Sequence, residues 1–225
     1  MFLDDVRDAS ARLQTPTGAV EIATAFLRDT HSSDGLICIA SREGDRSLAH
    51  RFFPDRRAAA EYAVALDAKR AHVWAAAADY CDPGGGRRAE NVLCGRTHWL
   101  DCDVGRDGFA SKADALQQLA RLCGTLGLPA PILVDSGGGI HVWFVFDEAV
   151  TPDRWRPVAQ RLKDVCRAQN FAADPSRTAD IASLMRLPGT PWSFGLLVRP
   201  AHPPATARVC DGYACACSAH RTRRA

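Results

Sequence analysis

The chain has 225 residues, 24% charged and 47% hydrophobic, with a formal charge of +2 and a pI near 8.1. This is an ordinary globular composition, long enough for one good core and a subdomain, and its mild positive balance neither requires nor opposes a nucleic-acid partner. The apolar runs stop short of membrane-spanning length, and Asp4, Asp5 and Asp8 stand where a signal peptide would carry basic residues, so a cytoplasmic protein with no membrane partner is expected.

In chain order, Ala19–Thr30 places Ile22, Ala23, Phe26 and Leu27 on one face of a helix. Leu36–Ala40 and Ser47–Phe53 read as strands around a polar turn. Asp55 opens an alanine-rich helix to Lys69 with Tyr62 and Leu66 on its buried side, and Ala71–Asp79 is a strand. Cys81–Asn91 is a glycine-rich loop. Thr97–Val104 is the next strand. Ser111 caps a helix whose apolar stripe reads Leu116, Leu119, Ala120, Cys123 and Leu126, and which Gly127 and Pro129 stop. Ile132–Asp135 and Ile140–Asp147 form a hairpin through Ser-Gly-Gly-Gly. Thr151-Pro152 starts a helix carrying Trp155, Val158, Ala159, Leu162 and Val165, and a last strand and turn fall within Phe171–Pro188.

The β-α-β-β-α-β order predicts an α/β (α+β) fold: an N-terminal αβ subdomain over 18–95, then an RRM-like or ferredoxin-like split βαβ core over 96–200. Residues 201–225 lack periodicity and read as a weakly ordered tail. One face of the sheet is expected to stay open. The nine cysteines are odd in number and mostly sit in apolar segments, which argues against a disulfide framework. The tail group Cys210, Cys215, Cys217 and His220 lacks the paired knuckle of a zinc site.

Three stretches carry chemistry. In WLDCDVG, strand alternation puts Asp101 and Asp103 on one face. Two adjacent carboxylates repel, and a divalent cation relieves the repulsion; solvent or arginine partners would do the same. In VDSGGGIHVWF, Ser136, Gly138 and Gly139 let backbone N–H groups approach an anion, and His141 faces the side of the aspartates; a plain glycine hairpin is the alternative. In DPSRTADIASLMRLPGT, Asp174 is placed to complete a metal site and Asp180 suits a cap or ion pair. Arg186 either neutralises a phosphate or pairs with Asp180.

Together these stretches resemble the archaeo-eukaryotic primase superfamily, in particular the bifunctional primase–polymerase domain of phage and plasmid replication proteins. The family pattern runs from a D-x-D strand, through serine and glycines to a histidine, to an acid before R-[LV]-P-G-T; the likeness spans roughly residues 18–190. It implies a nucleotidyltransferase that makes or extends primers on single-stranded DNA from nucleoside triphosphates, with two magnesium or manganese ions. By the same resemblance Asp101, Asp103 and Asp174 hold the metal, with Asp180 as the fallback, and Asp101, Asp103, His141 and Asp174 are catalytic. Ser136, Gly138, Gly139, His141 and Arg186 bind the nucleotide. Arg87, Arg88 and Arg96 are candidates to grip template phosphates. A replicative helicase is the implied partner. Where the family continues with asparagine and lysine, this chain has Pro191-Trp192-Ser193-Phe194, so a catalytically impaired DNA-binding module of the same fold is the second reading. A rolling-circle nuclease is rejected, because the chain has no H-x-H pair.

Overall fold

The computed structural model describes residues 16–69, 71–190 and 195–198. Helix α1 (Pro16–Thr30) leads into β1 (Leu36–Arg42), β2 (Ala49–Phe53), α2 (Arg56–Asp67) and β3 (His72–Tyr80). A single 3-10 turn at Ala89–Asn91 precedes β4 (Val92–Asp103), α3 (Lys112–Leu126), β5 (Ile132–Asp135) and β6 (Gly139–Val150). Then come α4 (Pro152–Ala168), the short α5 (Pro175–Thr178), β7 (Leu184–Met185) and β8 (Gly195–Val198). The strands form one sheet in the order β2-β1-β3-β4-β6-β5-β8, and β7 adds to β3. Every named pairing is antiparallel. The expected mixed α/β class is the observed one.

The helix ends follow local chemistry. Asp55 caps α2 by accepting from Ala58 N–H at 2.7 Å, and Ser111 caps α3 by accepting from Asp114 N–H at 3.1 Å. Gly127 ends α3 in the left-handed conformation at φ 63°. The buried stripes, however, are rotated from the expected ones. Helix α2 buries Ala59, Ala60 and Ala63, with Tyr62 and Leu66 only at its margin, because small side chains let α2 approach the sheet. Helix α3 buries Ala115, Leu119 and Leu122 and leaves Ala120 and Leu126 exposed. Helix α4 buries Trp155, Ala159 and Cys166, while Val158 is 54% exposed.

Strand β4 joins the two halves. Val92 and Cys94 pair with β3, and residues from Gly95 to Asp103 pair with β6. Strand β6 lies between β4 and β5, as in a split βαβ unit, and β8 adds on the outer side of β5. The strand expected within Phe171–Pro188 is shortened to the two-residue β7, which pairs with β3 and not with β4, behind the α5 turn. Beside β4, this stretch makes a main-chain link, Asp174 N–H to the Asp101 carbonyl at 2.8 Å. Proline at 175 cannot extend a ladder but starts a helical turn readily, and Asp174 caps that turn by accepting from Ser176 N–H at 2.8 Å.

Nor is the expected open face open. Trp99 and Trp143 lie opposite each other on β4 and β6, and the N-terminal half covers them, Phe26 of α1 meeting Trp143 edge-on at 5.2 Å. Trp155 lies 5.0 Å from Trp99 and donates its indole N–H to Thr97 O at 2.7 Å. Such large apolar rings repay burial more than any polar surface on that face could. The opposite face packs Leu100, Cys102, Ile140 and Val142 against α3 and α4. The six cysteines among the described residues form no disulfide with one another, and the tail cluster lies outside those residues. Among the described residues no helix is long and apolar enough to cross a membrane.

His98 sits between Phe146 at 4.7 Å and Trp155 at 4.9 Å, with no hydrogen-bond partner on either ring nitrogen. Burial pushes its pKa down to about 4. The folded state therefore binds fewer protons than the unfolded chain between about pH 4 and 6.5, and stability is lost as the pH falls through that window. His98→Phe should stabilise the protein by about 1–2 kcal/mol at neutral pH and by more at pH 5. Urea unfolding at both values checks this.

Candidate active site

Alternation along β4 and its register with β6 set the site. Asp101 lies opposite His141 and Asp103 opposite Gly139, on the face that carries Trp99 and Trp143. The tryptophans are roofed, and the acids lie where the roof ends. Asp101 is 8% exposed and His141 5%, whereas Asp103 is open to solvent. The turn after α4 brings Asp174 alongside through its main-chain bond to Asp101, and Trp99 fixes that turn by donating its indole N–H to Arg177 O at 2.9 Å. Asp103 and Asp174 both line a cleft of about 410 Å³ between the 103–108 loop and residues 172–175.

The electrostatics are those of an acid cluster that one nearby arginine compensates only in part. Burial, then the charge of Asp103, pushes the Asp101 carboxyl up to about 7; Asp174 adds to the rise and Arg177 opposes it. Asp101 Oδ1 is buried without a hydrogen-bond partner, and His141 Nε2 stands 3.5 Å from it. Burial, then Arg177 and Arg186, pushes His141 down to about 3. The ring is therefore neutral near pH 7, and the pair is not an ion pair. Shifts of this size from burial plus named charges are a mark of functional sites.

Arg177 was not among the residues singled out from the sequence. Its Nε lies 3.9 Å from Asp101 Oδ2 and 3.8 Å from Asp174 Oδ2, and its Nη1 donates to Leu184 O at 3.0 Å. The signal was present: an Asp-Pro start predicts a helical turn, which puts the residue three positions on beside the aspartate. Lys112 was also missed; its ammonium meets Asp135 at 2.7 Å, and Asp135 accepts from Gly137 N–H, bracing the hairpin from α3.

Other expected residues lie elsewhere or are already engaged. Asp180 closes its own turn, accepting from Ala182 N–H at 3.0 Å and from the Ser183 hydroxyl at 3.3 Å, and Asp174 alone of the two stands beside Asp101. The amides of Ser136 and Gly137 are spent within the hairpin, on Gly139 O and Asp135 Oδ1, so they do not form the expected anion nest. Gly138 is exposed at the tip and its carbonyl accepts from Val104 N–H. Gly139 is where β6 approaches β4 too closely for a side chain. Arg186 stacks on Trp74 with its guanidinium 4.5 Å from the ring and donates to Val73 O. It does not pair with Asp180; the acid acting on it is Asp67, and its charge reaches His141. Arg87 donates to Ala182 O and to His50, and Arg96 donates to Phe146 O and Arg28 O. Arg96 is five residues from Asp101 along β4, about 17 Å at strand rise. Arg88 is exposed. Residues 191–194, where the chain leaves the family pattern, are outside the described residues.

No protein-family model and no curated protein matches the sequence. Among solved structures, the AEP domain of the cyanophage S-2L primase-polymerase superposes with a TM-score of 0.53 at 17% identity, over 75% of this chain and 80% of that one. The chain has the fold of that domain. Two weaker superpositions are with primase RepB′ (TM-score 0.48, 16% identity, 76% of this chain and 50% of that one) and with the polymerase domain of Mycobacterium tuberculosis Ligase D in complex with DNA (0.39, 14%, 78% and 76%).

The donor set is of the kind that suits a hard divalent cation: all three groups are carboxylates, one has a buried oxygen without a hydrogen-bond partner, and burial followed by repulsion raises the pKa of the most buried, although among the described residues no three such side chains stand close enough to hold an ion. Magnesium or manganese fits that chemistry.

Proposed function

We propose that the protein is a primase–polymerase-type nucleotidyltransferase that makes or extends primers on single-stranded DNA from nucleoside triphosphates. The observation that supports this reading is that Asp174, on the turn after α4, comes alongside Asp101 and Asp103 at the end of β4 in a sheet with the AEP fold. Asp101, Asp103 and Asp174 would hold two magnesium or manganese ions, which when bound neutralise charge on a triphosphate and favour an attacking hydroxyl. Asp103 and Asp174 face the cleft where a nucleotide has room. His141, as a neutral imidazole behind Asp101, holds an N–H toward the carboxylate and the nucleotide without adding charge. Ser136 and Gly138, on the hairpin tip, and Arg186 remain on the proposed nucleotide side. Arg88 is the exposed arginine of the template set, and Arg87 and Arg96 join it only if their carbonyl partners release them. A replicative helicase and a cytoplasmic setting complete the proposal.

The test is synthesis on a single-stranded template with labelled nucleotides and manganese. Wild type should extend a primer, and Asp103→Ala and Asp174→Ala should each lose at least ~100-fold in rate. Asp180→Ala should stay within about threefold, since its carboxylate serves only its own turn. Template binding by wild type without any synthesis would favour the DNA-binding module.

A further inference from the structure

A divalent ion shared by Asp101 and Asp174 would need an oxygen from each within roughly 2.0–2.6 Å of one point. The structure has a guanidinium there instead. Arg177 Nε faces both carboxylates at 3.8 and 3.9 Å, and among the described residues no three histidine, cysteine or acidic side chains stand close enough to hold an ion. The two facts are linked. A planar cation wider than a metal ion, facing one oxygen of each carboxylate, draws both toward itself and occupies oxygens that a smaller cation would need. The main chain of the turn is anchored independently, by Trp99 on the Arg177 carbonyl and by Asp174 N–H on β4, so the guanidinium can leave, giving up its bond to Leu184 O, without the turn unravelling. Its side chain is 43% exposed, which gives it somewhere to go.

We propose that Arg177 is a resident counter-ion of the acid cluster, which keeps the site assembled before metal arrives and must be displaced when a divalent cation binds. The inference rests on the metal-site reading above and adds a competitor to it. Metal affinity is then a difference between two cations' hold on the same carboxylates. Arg177 thus differs from a positioning residue that only supports the ligands: its removal should weaken the empty site and tighten metal binding at once. Lysine should behave in between, because its compact, hydrated ammonium cannot span both carboxylates as a planar guanidinium does.

The experiment uses the full chain with Arg177→Gln, Arg177→Lys and Arg177→Ala, measuring Mn²⁺ affinity by calorimetry or the free-ion spin-resonance signal at pH 8, and melting temperature in chelator. Arg177→Gln should melt several degrees lower in chelator and bind Mn²⁺ about 3–10-fold more tightly, with the lysine variant between it and wild type. Should Arg177→Gln and Arg177→Lys bind Mn²⁺ as wild type does or more weakly, Arg177 is a support and the proposal is overturned. If wild type and all variants bind no Mn²⁺, the metal-site reading fails and takes this one with it. Wild-type binding that the variants leave unimproved sinks only the counter-ion.

Discussion

Asp101→Asn should make the metal-free protein more stable while abolishing synthesis. Burial and the neighbouring charges of Asp103 and Asp174 raise the folded pKa of Asp101 to about 7, against an ordinary value of 3.8. Between those values the folded state binds more protons than the unfolded chain, so this group's contribution to stability falls as the pH rises from about 4 to 7 and stays low above. A neutral isostere of the same shape removes the repulsion. The gain should be on the order of 2–4 kcal/mol at pH 8 and should shrink toward zero near pH 4. Melting curves in chelator across that range, beside the primer-extension assay, give both readouts. A variant no more stable than wild type at pH 8 would show that the Asp101 carboxylate carries no net cost in the folded state.

The second large effect is at the hairpin. Gly139 faces Asp103 across the β4–β6 pair, and a Cβ there would overlap the Cys102 carbonyl oxygen and come within 2.8 Å of Asp103 Cα. Those are main-chain atoms in a paired strand, so nothing nearby can rotate away. Gly139→Ala should cost about 3 kcal/mol, as overpacking in a closed site does, and should shift Asp103 relative to Asp101. The fall in urea midpoint measures the first, and loss of extension activity in the folded fraction measures the second. Gly138→Ala is the control: open space surrounds that position, and its stability should change by less than ~1 kcal/mol.

The local features of this fold were legible in the sequence because local rules decide them. Asp55 and Ser111 announced their helices, Gly127 its stop, and the alternation around Asp101 and Asp103 placed both acids on one side of a strand. What was not legible depends on where the other half of the chain packs. Nothing in WLDCDVG says that Phe26, far upstream, closes over the face that carries Trp99, so an open face was expected and a roofed one found. The rotated stripes of α2 and α3 have the same origin, since which alanines go deepest depends on how closely a helix approaches the sheet. In the site, Asp174 was legible from its place at the start of the last predicted strand, and the family resemblance kept Asp180 as a fallback beside it. The main-chain bond from Asp174 to Asp101 separates them, and no side-chain pattern encodes that bond. Lys112 and Asp135 meet across 23 positions, a pairing that composition and spacing do not announce.

That bond has an evolutionary corollary. Asp174 is tied to the sheet by an amide hydrogen that every residue except proline possesses, and its turn by one indole N–H on a carbonyl that every residue possesses. Drift beyond α5 can therefore proceed without moving the carboxylate, and insertions are best tolerated there, where no main-chain tie to β4 would be stretched. A lineage could rebuild that stretch around a new template or partner and inherit the acid's position unchanged.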